Sequence, residues 1–219
     1  MRRIVVGAFV SLDGVMQAPG GPEEDPTRGF RFGGWGAPHF DEKMNEVVGE
    51  MFSRPFDLLL GRKTYDIFAA HWPYAAKDDP IGPLFDRITK FVATRDPNRE
   101  LTWQNSRTLG PDAVATLRRL KEEDGPDLLT QGSTDFLKTL LAHGLVDEFN
   151  VSVFPVILGN GKRLFDETAK PSGLKLVSVQ SSSSGIVATR YVPDGAVRTG
   201  SFEFDNPTAA ELERRRNLT

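Results

Sequence analysis

Residues 57–68 read DLLLGRKTYDIF, a short apolar run that stops at a glycine and gives way at once to basic and hydroxyl side chains. Asp57 through Leu60 fit a fully buried strand, because the run is too short for a core helix and Pro55 and Gly61 bracket it. Gly61 supplies a permissive backbone for the turn. Arg62, Lys63, Thr64, Tyr65 and Asp66 can then begin a helix whose free amides and positive end face the strand's carboxyl edge. In an open α/β sheet that edge is where ligands sit, so a phosphate held by the amides, by Arg62 as a forked donor and by the Thr64 hydroxyl suits the chemistry. The same spacing is compatible with an ordinary strand-turn-helix junction and a solvated basic corner.

Two other strand ends repeat the pattern. Thr89–Thr94 is apolar at its heart and delivers Thr94 and Arg95 at a turn, and two guanidinium groups from separate strand ends, Arg62 and Arg95, can share one phosphate monoester. Asp127–Gln131 is followed by Gly132 and Ser133. Ser133 is a cap for a helix over Thr134–His143, and the amides of Gly132, Ser133 and Thr134 form a possible anion nest. Gln131, Gly132 and Ser133 read equally as a plain capped helix start.

Toward the N-terminus, Arg3–Val10 has the composition of a buried strand ending at Ser11-Leu12-Asp13-Gly14, where Asp13 either caps local amides or meets a ligand. Residues 16–38 are dense in Gly and Pro and carry Phe30, Phe32 and Trp35, as expected of a lid whose aromatic rings cover a flat ligand, or of an insert that those rings merely anchor. Helical periodicity starts near His39 with a stripe of Phe40, Met44, Val47, Val48, Met51 and Phe52. Asp41 and Glu42 open that helix, with Asp41 the better placed to reach a ring nitrogen.

Further along, helices are expected over Pro80–Lys90 and Asp112–Glu123, with a short edge strand over Leu101–Leu109 and Trp103 partly buried. Leu145–Pro155 alternates as a strand, while Leu174–Ser182 and Ile186–Val192 form a hairpin with no helix between them, so the late sheet turns antiparallel. Asp147 and Glu148 are expected to orient the start of their strand. Residues 1–192 then make one domain and 193–219 a tail with a short charged helix.

Composition narrows the function classes. A chain of 219 residues with 39% hydrophobic side chains suits a single substantial core. A net charge of -3, from 27 Lys and Arg against 30 Asp and Glu, gives no general attraction to nucleic acid. No stretch is apolar enough to span a bilayer and the N-terminus breaks into polar residues early, so a cytoplasmic location is the default expectation. With no cysteine and three scattered histidines, a metal site is not expected.

SLDG at Ser11–Gly14, LLLGRKTYD at Leu58–Asp66, VATR at Val92–Arg95 and, above all, LVDEFNVSVFPVILGNGKRLF at Leu145–Phe165 resemble the dihydrofolate reductase-like family. The resemblance covers residues 2–192 and is strongest to the reductase domain of the bacterial bifunctional riboflavin biosynthesis deaminase-reductase. It implies a three-layer α/β/α fold with a central mixed sheet, and an NADPH-dependent reductase of the 5-amino-6-(5-phosphoribosylamino)uracil reductase type. By that resemblance Gly61, Arg62, Lys63 and Thr64 match the adenosine-phosphate side of the cofactor site, Thr94 and Arg95 its second phosphate contact, and Gln131, Gly132 and Ser133 the diphosphate loop. It also suggests a homodimer. The riboflavin enzymes usually carry a lysine where this chain has Gly7, so a planar heterocycle without an essential phosphate is the expected substrate. Asp13 or Asp41 would orient it and Phe32 and Trp35 would cover it. Reduction of dihydrofolate or another ring imine or ketone, and non-catalytic binding of a nucleotide or flavin, are the alternatives.

Overall fold

The computed structural model describes every residue except Lys77, Pro97, Phe204 and Thr219. In chain order the elements are β1 (Ile4–Ser11), α1 (Glu42–Met51), β2 (Phe56–Gly61), α2 (Arg62–Ala69), α3 (Gly82–Arg87), β3 (Lys90–Ala93), β4 (Ser106–Thr108), α4 (Ala113–Glu122), β5 (Asp127–Thr130), α5 (Thr134–Ala142), β6 (Glu148–Phe154), β7 (Leu174–Ser181), β8 (Val187–Pro193) and α6 (Ala209–Arg216). The eight strands form one sheet in the order β4-β3-β2-β5-β1-β6-β8-β7. Strands β1 to β6 pair in parallel. β8 pairs antiparallel with both β6 and β7, as expected of a hairpin that lacks a crossover helix.

Strand composition follows burial. β2, with Leu58, Leu59 and Leu60 all fully buried, is covered on both faces, which is why its sequence shows a continuous apolar run and no alternation. One face packs Ile4, Val6 and Leu59 against Leu117 and Leu120 of α4 and Phe136, Leu137 and Leu140 of α5. On the other face Val5, Leu58 and Leu60 meet Tyr65 of α2 and Phe85 of α3, with Met51 and Phe52 from the end of α1 packed alongside. The layers are therefore α/β/α.

Several boundaries differ from the sequence expectation for local reasons. Only Ser106–Thr108 of the expected Leu101–Leu109 strand is extended, because Trp103 turns inward and is nearly fully buried. Its backbone amide donates to the Tyr65 hydroxyl at 3.0 Å and its indole Nε1 to Asp86 at 2.6 Å. Strand β6 starts at Glu148 because Leu145 and Val146 enter the core, while Asp147 accepts from the Ile4 amide and pairs with Lys121. Asp112 caps α4 by accepting from Ala115 N, whereas Ser133 stands at the N-cap of α5 without a capping side-chain bond, contrary to the expected role.

Candidate functional site

The two turns that open α2 and α5 press against each other. Gly61 N donates to Gly132 O at 2.9 Å, and a Cβ on Gly61 would lie 2.7 Å from Ser133 N. Gly132 adopts φ +139°, and its missing Cβ would lie 2.7 Å from the Thr64 hydroxyl. Both positions therefore exclude side chains, for lack of space and, at Gly132, for backbone conformation as well. The packing brings the amino ends of α2 and α5 together beside a cleft of about 820 Å³. Residues 16–25, Gly7 and Phe9 of β1, Phe40, the inner side of α2, the Gln131–Asp135 turn and Lys162 line it.

Charge in the cleft is arranged around two lysines. Burial and the neighbouring Lys162 push the Lys63 ammonium below its ordinary value. Lys162 is held by ion pairing to Asp25 and donates to the Thr27 hydroxyl at 2.9 Å. Gln17 ties the same region together, donating to the carbonyls of Asp25 and Thr27 and accepting from the Lys162 amide. Glu24 accepts from the amides of Gly20 and Gly21, but burial outweighs those bonds and pushes its carboxyl up. The lining thus sets Lys63 and Lys162 among the carboxylates of Glu23, Glu24, Asp25 and Asp135, together with apolar surface from Phe9, Phe40, Ile67 and Phe68.

Of the residues expected to serve a ligand, Lys63, Thr64, Gln131, Gly132 and Ser133 come together on this lining. Gly61 stands behind them as the close contact. Arg62, Thr94 and Arg95 lie outside the lining, past the ends of β2 and β3, where Arg62 pairs with Asp66 at 2.7 Å and Thr94 accepts from the Asp96 amide. Asp13 does not line the cleft. It accepts from Ser11 Oγ, Leu158 N and Gly159 N and pairs with Arg163. Asp41 does not line it either: it caps α1 through Met44 N and accepts from Ser183 Oγ and Ser184 N, tying the helix to the β7–β8 turn. Trp35 is buried, donates its indole N–H to Gln17 O at 2.8 Å and packs edge-on against Phe154. Phe32 is half-exposed against the buried Phe30. The glycine-rich residues 16–25, and not these rings, flank the cleft.

The sequence reading missed Gln17, Glu24 and Lys162 in this lining. Lys162 follows the Gly159-Asn160-Gly161 loop, whose freedom is needed because Gly161 takes φ +134° directly against Val15. A polar residue placed straight after such a loop was the available signal.

A parallel-to-antiparallel sheet carrying a ligand cleft between two helix amino ends is the architecture of the dihydrofolate reductase-like α/β proteins. The chain belongs to the RibD C-terminal domain family, whose model matches residues 2–188. Among curated proteins it is 28% identical over 197 residues to the uncharacterized protein YyaP of Bacillus subtilis strain 168, covering 87% of this chain and 94% of that one. It is 25% identical over 177 residues to YwjB of the same organism, covering 80% and 89%. Similar folds occur in a putative riboflavin biosynthesis protein from Shewanella sp. PV-4, with a TM-score of 0.62 and 18% identity over 88% of this chain and 99% of that one. Dihydrofolate reductase from Enterococcus faecalis, complexed with NADP(H), shares the fold at a TM-score of 0.57 and 13% identity, over 88% and 96% of the two chains. The fold and the reductase-type family are those that the motifs at Leu58–Asp66 and Leu145–Phe165 resembled.

Proposed function

We propose that this protein is an NADPH-dependent reductase acting on an electron-poor C=N or C=O of a planar heterocycle. The observation that carries this reading is the convergence of the α2 and α5 amino ends, Lys63 and the side-chain-free Gly132 turn on one cleft large enough for a dinucleotide and a small ring. The residues present fit such a cofactor, because a Cβ at Gly132 would push the turn away from Thr64 and break the donor array. Lys63, Thr64 and the Gln131–Ser133 turn would hold its diphosphate, and the bound nicotinamide supplies the hydride. Gly7, Phe9 and Phe40 would flank the reacting rings, while residues 16–25 exclude water. Glu24, a lining carboxyl whose pKa burial raises, is the group we assign to proton delivery.

Gly7 also bears on the substrate. A Cβ there would lie 2.5 Å from Sδ of Met51, whose flexible thioether end fills the space beside this side-chain-free position. That supports an acceptor whose recognition does not depend on a cation from β1, with the ribose-phosphate pyrimidine of riboflavin synthesis and a dihydropterin as reference candidates. Titration with NADPH and NADH should show tighter binding of NADPH, and Lys63→Ala should weaken NADPH binding by about 1.5 to 3 kcal/mol, the size of a charge-assisted contact. NADPH oxidation should then be followed with both reference substrates and a panel of ring imines and ketones, with Glu24→Gln retaining cofactor affinity and losing turnover. Cofactor binding without oxidation on any of them would favour the non-catalytic module instead.

A further inference from the structure

The sheet face beneath α1 carries a polar row that packing alone does not explain. Register sets Asn150 of β6 opposite Arg190 of β8, and Arg190 opposite Ser178 of β7, so the three side chains share one face. The neighbouring pair, Ser152 and Ala188, is short. A cavity of about 300 Å³ is left between these rows and the apolar stripe of Met44, Val47, Val48 and Met51 on α1. Arg3, Phe56 and Asp127 line it at the amino ends of the parallel strands, whereas the cleft described above lies at their carboxyl ends. Phe9 lines both.

The charges in this cavity are unevenly satisfied. Asp127 and Glu148 are both held by Arg3, and Glu148 also accepts from Asn150 Nδ2 at 3.3 Å. Glu50 accepts from Gln180 Nε2 at 2.8 Å. Arg54, at the exposed margin, adds a further positive charge. Arg190 is different, because its Nε is buried and has no hydrogen-bond partner among the described residues. A buried donor left unpaired costs free energy, which an acceptor entering the cavity would restore.

We propose that this cavity is a second ligand site, separate from the cleft, for a small carboxylate with an apolar body. The carboxylate accepts from Arg190, flanked by Asn150 and Ser178, and the body packs on Phe9, Met44, Val48 and Met51. A planar carboxylate matches the guanidinium fork. The single charge follows from the lining, since Glu50, Asp127 and Glu148 already stand there and would repel a dianion such as phosphate. The volume is at the lower end for small-molecule sites, which suits one ring or a short chain. This assignment is independent of the NADPH reading.

The test is titration calorimetry of the full-length protein with sodium benzoate and with its neutral counterpart, benzyl alcohol. Benzoate should bind saturably and benzyl alcohol at least about tenfold more weakly, the size of one charge-assisted bond. Arg190→Met, which keeps an apolar stem, should remove that difference, and a thermal melt would verify that the variant folds. Lys63→Ala, a change in the cleft, should leave benzoate affinity within about twofold. Should Arg190→Met fail to fold, the contrast between the two ligands in the wild type and in Lys63→Ala decides the matter. Absence of saturable benzoate binding, equal binding of both ligands, or benzoate affinity retained by folded Arg190→Met overturns the proposal. Loss of benzoate binding in Lys63→Ala overturns it too, by placing the ligand in the cleft. Displacement of benzoate by an equal concentration of inorganic phosphate would overturn the assignment to a carboxylate.

Discussion

Asp13 illustrates how a residue that reads as reactive in sequence can be engaged by the fold. Partial desolvation favours its neutral form, but bonds from Ser11 Oγ and the amides of Leu158 and Gly159 prevail and hold the carboxyl at about 2. Because the folded value lies below the unfolded one, the stabilisation is complete above about pH 4 and is lost as pH falls through about 2. Asp13→Asn should therefore cost about 1 to 3 kcal/mol in urea denaturation at neutral pH, as expected for charge-assisted bonds to a part-buried group. It should also flatten the acid limb of the stability profile, and NADPH affinity should not move. Loss of turnover with unchanged stability would instead restore a catalytic role. No local signal separated these readings, since Leu158 and Gly159 are remote in sequence and meet Asp13 only through the β1–β6 pairing.

At the level of elements, the β2–α2 and β5–α5 turns work as one unit. Each was legible alone as an apolar run, a glycine and a helix start. That they touch follows from the direct pairing of β2 with β5. Gly61→Ala would drive a methyl against Ser133 and part the two helix amino ends. The expected result is a loss of about 1 to 3 kcal/mol of stability, the usual cost of overpacking, together with a disproportionate loss of NADPH affinity. Calorimetric melting and cofactor titration would measure both, and unimpaired cofactor binding would show that the turn contact does not shape the site.

Across the whole molecule, the sheet's antiparallel end is unfinished. Leu176, Val179 and Val187 are 47%, 57% and 40% exposed. Leu176 pairs with Tyr191 and Val179 with Thr189, which places them on the face shared by Phe149 and Val151, a continuation of the α4/α5 core that is left exposed at β7. Edge strand β7 is exposed along almost its whole length. A second copy of the chain is the expected cover. Sedimentation at tens of micromolar should show a dimer, and Val179→Asp should shift it to monomer; a wild-type monomer would count against that assembly. Among the described residues no helix is long and apolar enough to cross a membrane.

The sequence by itself determined the elements and their class. Apolar runs such as Leu58–Leu60, the stripe of α1 and the Ser183-Gly185 turn are set by burial periodicity and backbone preference acting over a few residues. Motif resemblance over Leu145–Phe165 was enough to indicate the family. Only the tertiary structure decided which polar residues face the cleft. Asp41 reaches Ser183, Trp35 reaches Gln17, Lys162 reaches Asp25 and Arg99 reaches Asp66. Whether a side chain is free for a ligand depends on partners that chain folding brings from far away, and a buried or charged group takes the nearest partner that satisfies it.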